Sequence, residues 1–174
     1  MIIMSVFYFA IFAAFNIKGL PMKNEFFLFS NQQKNVSGTA NVLIDSLAPF
    51  NGVVGNFVTN GETVYVNAHQ QFDARRSGSL TFWFKADITN GKHDYEAGSG
   101  LHINYALFEK VDEGTIYTPF QAVYGSGIVS VTFDYDKGTL AVGFDLEVQN
   151  NPDEPRLKAI GAFRDVSGLE HAKK

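Results

Sequence analysis

The residues best suited to bind a ligand lie around the single tryptophan, Trp83. By strand alternation Trp83 falls on the polar side of its predicted strand. An aromatic ring stacks on the C–H face of a sugar, and amide and imidazole groups hydrogen-bond sugar hydroxyls. The sequence therefore predicts a carbohydrate-binding face, although a large amphipathic Trp is also commonly buried for packing. Besides Trp83, the predicted face consists of Tyr65, Asn67, His69, His102 and Asn104.

Four carboxylates on a predicted hairpin form a second set of candidate groups. Asp134, Asp136, Asp145 and Glu147 alternate with apolar residues, so two of them could meet across strands as the acid/base pair of a glycosidase. Like charges directly opposite each other destabilise a sheet, however. Solvated carboxylates are therefore the better interpretation, and no catalytic residue is assigned.

Metal and cofactor chemistry has little support in the sequence. His93, Asp94, Glu96 and His102 lie close together, but their spacing matches no recognised metal motif. A solvated acidic loop is the better interpretation of these residues. The sequence contains neither a nucleophile elbow nor a phosphate-binding loop. We therefore expect no metal and no cofactor.

Composition excludes several classes of function. The chain has no cysteine, which rules out disulfides, thiolate metal sites and a cysteine nucleophile. Its formal net charge is −4, and no cluster of basic residues exceeds Arg75-Arg76, so nucleic-acid binding is not expected. Charged residues are only 18% against 45% hydrophobic, which indicates a folded domain with a largely neutral polar surface.

The elements that must position these residues are predicted to be β-strands. The clearest stretch, from Gly127 to Val148, alternates apolar and polar residues on both sides of a turn at 136–139. Asp136 is expected to cap this turn, and Gly138 to adopt the left-handed conformation. A second hairpin is predicted around Asn60-Gly61, with positive φ at both turn residues.

Further strands follow from the same alternation. We predict strands at 25–30, 36–47, 79–88 and 156–166, and a hairpin of 101–111 with 115–124 in which Pro119 marks a bulge or an edge. The stretches 70–78 and 89–100 are predicted as polar connections. About nine to ten strands result, which favours an all-β, antiparallel β-sandwich, jelly-roll-like. The alternative is a closed antiparallel β-barrel with an internal cavity for an apolar ligand.

The two ends of the chain are predicted to lie outside this domain. Residues 1–21 contain an apolar run that is too short to span a bilayer and lacks a basic start. They are either a leader or an upstream extension preceding a true start at Met22. If residues 1–21 are a leader, the protein is expected to be secreted or in the cell envelope. If translation starts at Met22, it is expected to be cytoplasmic. A membrane contact is expected only if the leader is retained. The single β-sandwich domain covers 22–168, and 169–174 are a flexible tail.

Three classes of function are compatible with these patterns. The first is a non-enzymatic binding module that recognises carbohydrate or a cell-surface component through the face around Trp83. The second is a structural or assembly subunit that forms homo-oligomers through exposed strand edges. A hydrolase that uses the strand carboxylates is the third and least favoured.

Overall fold

The computed structural model describes residues 35–172, which belong to one compact unit, Gln33–Lys174. The predicted leader or extension at 1–21 and the predicted strand at 25–30 lie outside the described residues. Residues 35–172 contain no helix. Their strands are β1 Ser37–Ile44, β2 Phe50–Thr59, β3 Thr63–Gln71, β4 Arg76–Lys85, β5 Gly91–Asp94, β6 His102–Val111, β7 Gly114–Ala122, β8 Ile128–Asp134, β9 Thr139–Gln149, β10 Leu157–Ser167 and β11 Glu170–His171.

The strands pair in the order β10-β1-β2-β3-β4-β6-β7-β9-β8-β5, and β9 also pairs with β10. All these pairings are antiparallel, whereas β11 pairs parallel with β2. The prediction of an antiparallel all-β fold is confirmed, and the arrangement is sandwich-like. Sequence alternation misses β5 and β11, because these strands of 4 and 2 residues carry no apolar series. β11 lies in the predicted tail, 169–174.

Strand alternation builds the core, as predicted. The apolar series of β8 and β9 is at most 7% exposed, from Val129 at 0% to Phe133 at 7%. Phe133 makes edge contacts with Phe84 and Phe57, at ring-centroid distances of 5.1 Å and 6.4 Å. Phe82 stacks beside Phe84 at 5.0 Å. These rings fill the interior with side chains, as expected for a sandwich.

The turns of the β8–β9 and β2–β3 hairpins differ in detail from the sequence prediction. In the β8–β9 turn, Asp134 rather than Asp136 accepts a hydrogen bond from the backbone N–H of Lys137, at 2.9 Å. Asp134 pairs with Thr139, so the turn spans residues 135–138 and begins one position earlier than predicted. In the β2–β3 turn only Gly61 has a positive φ, 91°. Asn60 instead caps the turn, its Oδ1 accepting from the N–H groups of residues 62 and 63 at 2.9 Å and 2.8 Å.

The two predicted polar connections are shorter than expected. β3 continues to Gln71 and β4 begins at Arg76, so only residues 72–75 connect them. Asp73 stabilises this turn by accepting hydrogen bonds from the backbone N–H groups of Arg75 and Arg76, at 2.9 Å and 2.8 Å. The predicted loop 89–100 contains β5, which pairs with β8. The capping of a turn by Asp73 leaves no apolar pattern in the sequence, and neither does the backbone pairing of β5. This explains why both connections were predicted too long.

Candidate functional site

The candidate site lies on the outer surface of β3, β4 and β6. Tyr65 pairs with Trp83, and Trp83 pairs with His102. The three residues therefore form one row across the sheet, with their side chains on the face opposite the core. Trp83 and Tyr65 are half-buried, and His102 is exposed overall although its neighbours partly desolvate its ring. We call these three residues the aromatic row.

The predicted amides form the next row along the same strands. Asn67 pairs with Thr81, Thr81 with Asn104, and Asn104 with Gln121 of β7. The Asn67 Nδ2 group donates to Thr81 Oγ1 at 2.9 Å and to Ser79 Oγ at 2.6 Å. The Asn67 side chain is thus held in place by cross-strand hydrogen bonds. The row was only partly predicted, because Thr81 and Gln121 were not singled out.

His69 lies one row further from Trp83. It pairs with Ser79, which in turn pairs with Ala106 of β6. His69 therefore lies two rows from the tryptophan along the strand direction, about 13 Å at the usual rise. The structure places all six predicted residues on one face, in three rows: Tyr65, Trp83 and His102 in the first, Asn67 and Asn104 in the second, and His69 in the third.

Ring contacts connect the aromatic row to the loop that follows β7. Trp83 lies 6.0 Å from Tyr65 at an interplanar angle of 34°, and 6.1 Å from His102 at 64°. The Tyr124 hydroxyl lies 3.0 Å from Nδ1 of His102. Tyr124 also stacks on the buried Tyr95, with centroids 5.1 Å apart. Alternation could not identify Tyr124, because it follows the end of β7.

Tyr95 anchors this end of the site. Its backbone N–H donates to the carbonyl of Gly127 at 2.9 Å, and its carbonyl accepts from the N–H of Gly125 at 2.6 Å. The Tyr95 hydroxyl accepts from the backbone N–H of Ile103 at 3.3 Å. Because Tyr95 is only 2% exposed, it provides a fixed support for the Tyr124 ring.

The titratable groups of the site are neutral near pH 7. Burial raises the pKa of Tyr65 to about 12, and a hydrogen bond with Thr81 opposes part of that rise. Burial lowers the pKa of His102 from 6.5. It also lowers the pKa of His69, where a hydrogen bond with Gln71 acts in the opposite direction. Neutral imidazoles can both donate and accept hydrogen bonds.

The outward residues of these rows and of one further row carry no charged side chain. A fourth row pairs Ser77 of β4 with Phe108 of β6, and Phe108 with Tyr117 of β7. We define the uncharged face by the outward residues of β3, β4, β6 and β7 from the aromatic row to this fourth row; Lys85 and Lys110 lie on the same surface, one row beyond either end. They are Tyr65, Asn67, His69, Gln71, Ser77, Ser79, Thr81, Trp83, His102, Asn104, Ala106, Phe108, Tyr117, Pro119 and Gln121.

The outer surface of β9 and β10 has the opposite character. Asp145 pairs with Lys158 at 3.6 Å, and Glu147 with Arg156 at 3.3 Å. Near the β8–β9 turn, Asp134 pairs with Lys137 at 2.7 Å, and the hydrogen bonds from Lys137 lower the pKa of Asp134. Three of the four candidate hydrolase carboxylates are therefore ion-paired, and a lowered pKa does not suit a general acid.

The candidate metal ligands do not converge. His93 Nε2 lies 2.8 Å from the carbonyl oxygen of Thr89, whereas His102 contacts Tyr124. Among residues 35–172, no group of three or more His, Asp or Glu side chains could hold a metal ion.

Two surface depressions lie outside the candidate site. One is lined by residues that include Leu140 and Asp165, and the other by residues that include Asp94 and Ser126. Neither includes a residue of the uncharged face.

Comparison of the chain with protein-family models, with curated proteins and with solved structures finds no match. Within the part of the chain that the structure describes, no helix is long and apolar enough to cross a membrane. The class that the fold defines is an antiparallel β-sandwich-like domain. A fold of this class hosts many unrelated functions, so function must be argued from the site.

Proposed function

We propose that this domain is a non-enzymatic binding module that recognises carbohydrate, free or as a component of a cell surface, through the uncharged face. The observation that carries the proposal is the aromatic row directly beside the amide row. Tyr65 and Trp83 are aromatic side chains of the kind that stacks on the apolar C–H side of a pyranose. The amides of Asn67 and Asn104 lie one row away, at a distance of about 7 Å, where the hydroxyls of such a ring would lie.

The preformed geometry supports binding without a large ordering cost. Asn67 is already held by hydrogen bonds to Ser79 and Thr81, and the Trp83 ring is flanked by Tyr65 and His102. Side chains that are fixed before binding lose little conformational entropy when a ligand arrives. Sugars bind such rigid, partly aromatic surfaces without a deep pocket.

The single tryptophan provides a direct test. A glycan array identifies candidate ligands, and titration of each one is followed by the fluorescence of Trp83, the sole Trp of the chain. Binding at the aromatic row should change this emission, and calorimetry should show that Trp83→Ala abolishes binding. Ile160→Ala is the matched control, because Ile160 is 48% exposed but lies on β10. That variant should bind normally.

Three results would argue against the proposal. Absence of binding to every glycan on the array would leave the aromatic row without a ligand of this class. Normal binding by Trp83→Ala would place the ligand elsewhere. Loss of the folded state in Trp83→Ala, detected by circular dichroism, would mean that Trp83 serves packing and not binding.

We propose as a second candidate that the domain is an assembly subunit that forms homo-oligomers. β7 favours it, because between Gly114 and Phe120 this strand pairs with β6 alone among residues 35–172. Ile116 on this segment is 51% exposed. An unpaired strand edge is a template for another strand. Pro119 also lies on this free part of β7, a position that suits a residue without an N–H group.

Sedimentation velocity over a range of concentrations separates the two candidates. An assembly subunit should form a stable oligomer without ligand, and Ile116→Lys should dissociate it by placing a charge on the edge. A monomer at all concentrations would exclude this candidate and leave the glycan-binding proposal standing.

A further inference from the structure

Three asparagines of the chain are each followed directly by a glycine. They are Asn51 before Gly52, Asn60 before Gly61 and Asn90 before Gly91. In this dipeptide the backbone nitrogen of glycine can attack Cγ of the asparagine side chain, because glycine has no Cβ that obstructs the approach. The three sites differ in how the fold holds the two reacting atoms.

The reaction requires no partner other than water. The bond between the glycine nitrogen and Cγ forms, the bond between Cγ and the side-chain nitrogen breaks, and that nitrogen leaves as ammonia together with the proton of the glycine N–H group. The product is a succinimide ring. Water then adds to one of its two carbonyl carbons. Addition at Cγ gives aspartate, and addition at the backbone carbon gives isoaspartate, in which the chain runs through the former side chain.

Asn51 lies within β2, where pairing opposes the rotation that ring closure needs. It pairs with Asn41 of β1, and its backbone N–H donates to Oε1 of Gln70 at 2.5 Å. Gly52 is buried, and its Cα is packed against the ring of Phe50. Neither residue of this dipeptide can therefore change conformation without disturbing the sheet.

Asn60 is held in the β2–β3 turn with its reacting atoms engaged separately. Its Oδ1 accepts from the backbone N–H groups of residues 62 and 63, and its own N–H donates to the carbonyl of Thr63 at 3.3 Å. The nitrogen that would attack, that of Gly61, donates to Oγ1 of Thr59 at 3.0 Å. Thr59 is only 1% exposed, so this nitrogen is directed away from the Asn60 side chain by a fixed partner.

Asn90 differs because its side chain and the next backbone group face the same strand. Oδ1 of the exposed Asn90 accepts from the backbone N–H of Phe133 at 2.7 Å. Gly91 pairs with Val131 of the same strand, β8. Residues 131 and 133 direct their backbone groups to the same side of β8. The Asn90 side chain and the backbone of Gly91 therefore both face β8, which places Cγ and the attacking nitrogen on one side of the chain.

Two further features favour reaction at Asn90. The N–H group of Phe133 stabilises the negative charge that develops on Oδ1 during the attack, as a donor in an oxyanion hole does. Gly91 is also the first residue of β5, a strand of 4 residues. The ends of short strands open at a low free-energy cost. Each opening releases the Gly91 nitrogen close to Cγ of Asn90.

We propose that Asn90 is a site of spontaneous deamidation, and that its conversion to isoaspartate loosens β5 from β8. Isoaspartate adds one carbon to the backbone directly before β5, which shifts the register of the four pairs that β5 makes with β8. It also adds one negative charge. Aspartate, in contrast, keeps the backbone length and an oxygen acceptor for the N–H group of Phe133. This inference does not depend on the ligand of the uncharged face.

Peptide mapping by mass spectrometry, after prolonged incubation of the whole protein near neutral pH, tests the site. Asn90 should convert at least about tenfold faster than Asn51 and Asn60, and isoaspartate should be among its products. In concentrated urea, where the fold is lost, the three rates should become similar. Asn151 is an internal control, because it is exposed but precedes Pro152, whose nitrogen carries no hydrogen. It should remain unmodified.

Hydrogen exchange tests the effect on β5. The isoaspartate form, isolated by chromatography, should exchange its amide hydrogens faster in β5 and at Phe133 than the fresh protein does. Asn90→Asp is the matched control, because it adds the same charge without lengthening the backbone. This variant should exchange like the fresh protein.

Each part of the proposal can fail separately. Conversion of Asn51 or Asn60 as fast as that of Asn90 in the folded protein, or no conversion at Asn90, would overturn the site. Unchanged exchange in the isoaspartate form would overturn the loosening of β5. Faster exchange in Asn90→Asp would overturn the role of the lengthened backbone and assign the effect to charge.

Discussion

The hydroxyl of Tyr124 lies 3.0 Å from Nδ1 of His102, and this contact ties the loop after β7 to the row that contains Trp83. Neutral His102 can accept a hydrogen bond at Nδ1, whereas a protonated imidazole has only donors. When His102 is protonated, the Tyr124 hydroxyl can no longer donate to Nδ1 and can only accept a hydrogen bond from it. We therefore expect the protonation state of His102 to affect its contact with Tyr124.

This relationship predicts a pH dependence of stability. Burial lowers the pKa of His102 below 6.5, so the unfolded chain binds the proton more readily. The stabilisation from the neutral form is complete above about pH 6.5 and decreases as the pH falls through the lower pKa of the folded state. Urea unfolding at a series of pH values should show this decrease, and His102→Gln should reduce its slope. An unchanged slope in the variant would contradict the assignment.

Trp83 and Phe84 are adjacent residues that face opposite sides of β4, and they should respond differently to truncation. Phe84 is 1% exposed and contacts Phe133, so Phe84→Ala should reduce the free energy of unfolding by about 3–5 kcal/mol. Half-buried Trp83 lies outside this core, and Trp83→Ala should lower it by less than about 2 kcal/mol. Chemical denaturation measures both. A larger loss for Trp83→Ala would identify Trp83 as a packing residue.

The turn between β3 and β4 depends on the ionised carboxylate of Asp73. Backbone and side-chain hydrogen bonds from Arg75 and Arg76 lower the pKa of Asp73 to about 2. The unfolded carboxylate protonates nearer 3.8, so this stabilisation is present above that value and is lost as the pH falls toward about 2. Asp73→Asn should lower the melting temperature at neutral pH, and the difference from wild type should shrink in acid. A constant difference would argue against the cap.

Alternation predicted the strands that have one buried and one exposed face. β8 and β9 follow this rule along their length because every second side chain enters the core. It also placed Trp83 and the five other predicted residues on the correct face. The short strands β5 and β11 were not predicted, because pairing through the backbone requires no particular side chain.

The grouping of the site residues into rows could not be predicted in the same way. Which residue lies opposite Trp83 depends on the β3–β4 register, and the predicted connection 70–78 left that register open. The actual turn pairs Gln71 with Ser77, and this pairing places Tyr65 opposite Trp83. Asp73 stabilises this pairing through hydrogen bonds within the turn, and these leave no apolar pattern in the sequence. A shift of one residue would have moved the entire row to the other face.

Two glycines of the β9–β10 pair provide a test of how closely these strands pack. A Cβ atom at Gly161 would overlap the ring of Phe144 and lie 2.6 Å from the carbonyl oxygen of Asn41, whereas a Cβ atom at Gly143 would have no neighbour within 4 Å. Gly161→Ala should therefore lower the free energy of unfolding by roughly 1–3 kcal/mol, because the Phe144 ring must leave its position.

The matched variant Gly143→Ala should leave stability unchanged or raise it by up to about 1 kcal/mol, since it restricts the unfolded chain without a native clash. Urea denaturation of both variants measures the difference. Equal stability of the two variants would mean that Phe144 can move away from Gly161 without cost. Such mobility would be inconsistent with a core in which Phe144 is 5% exposed.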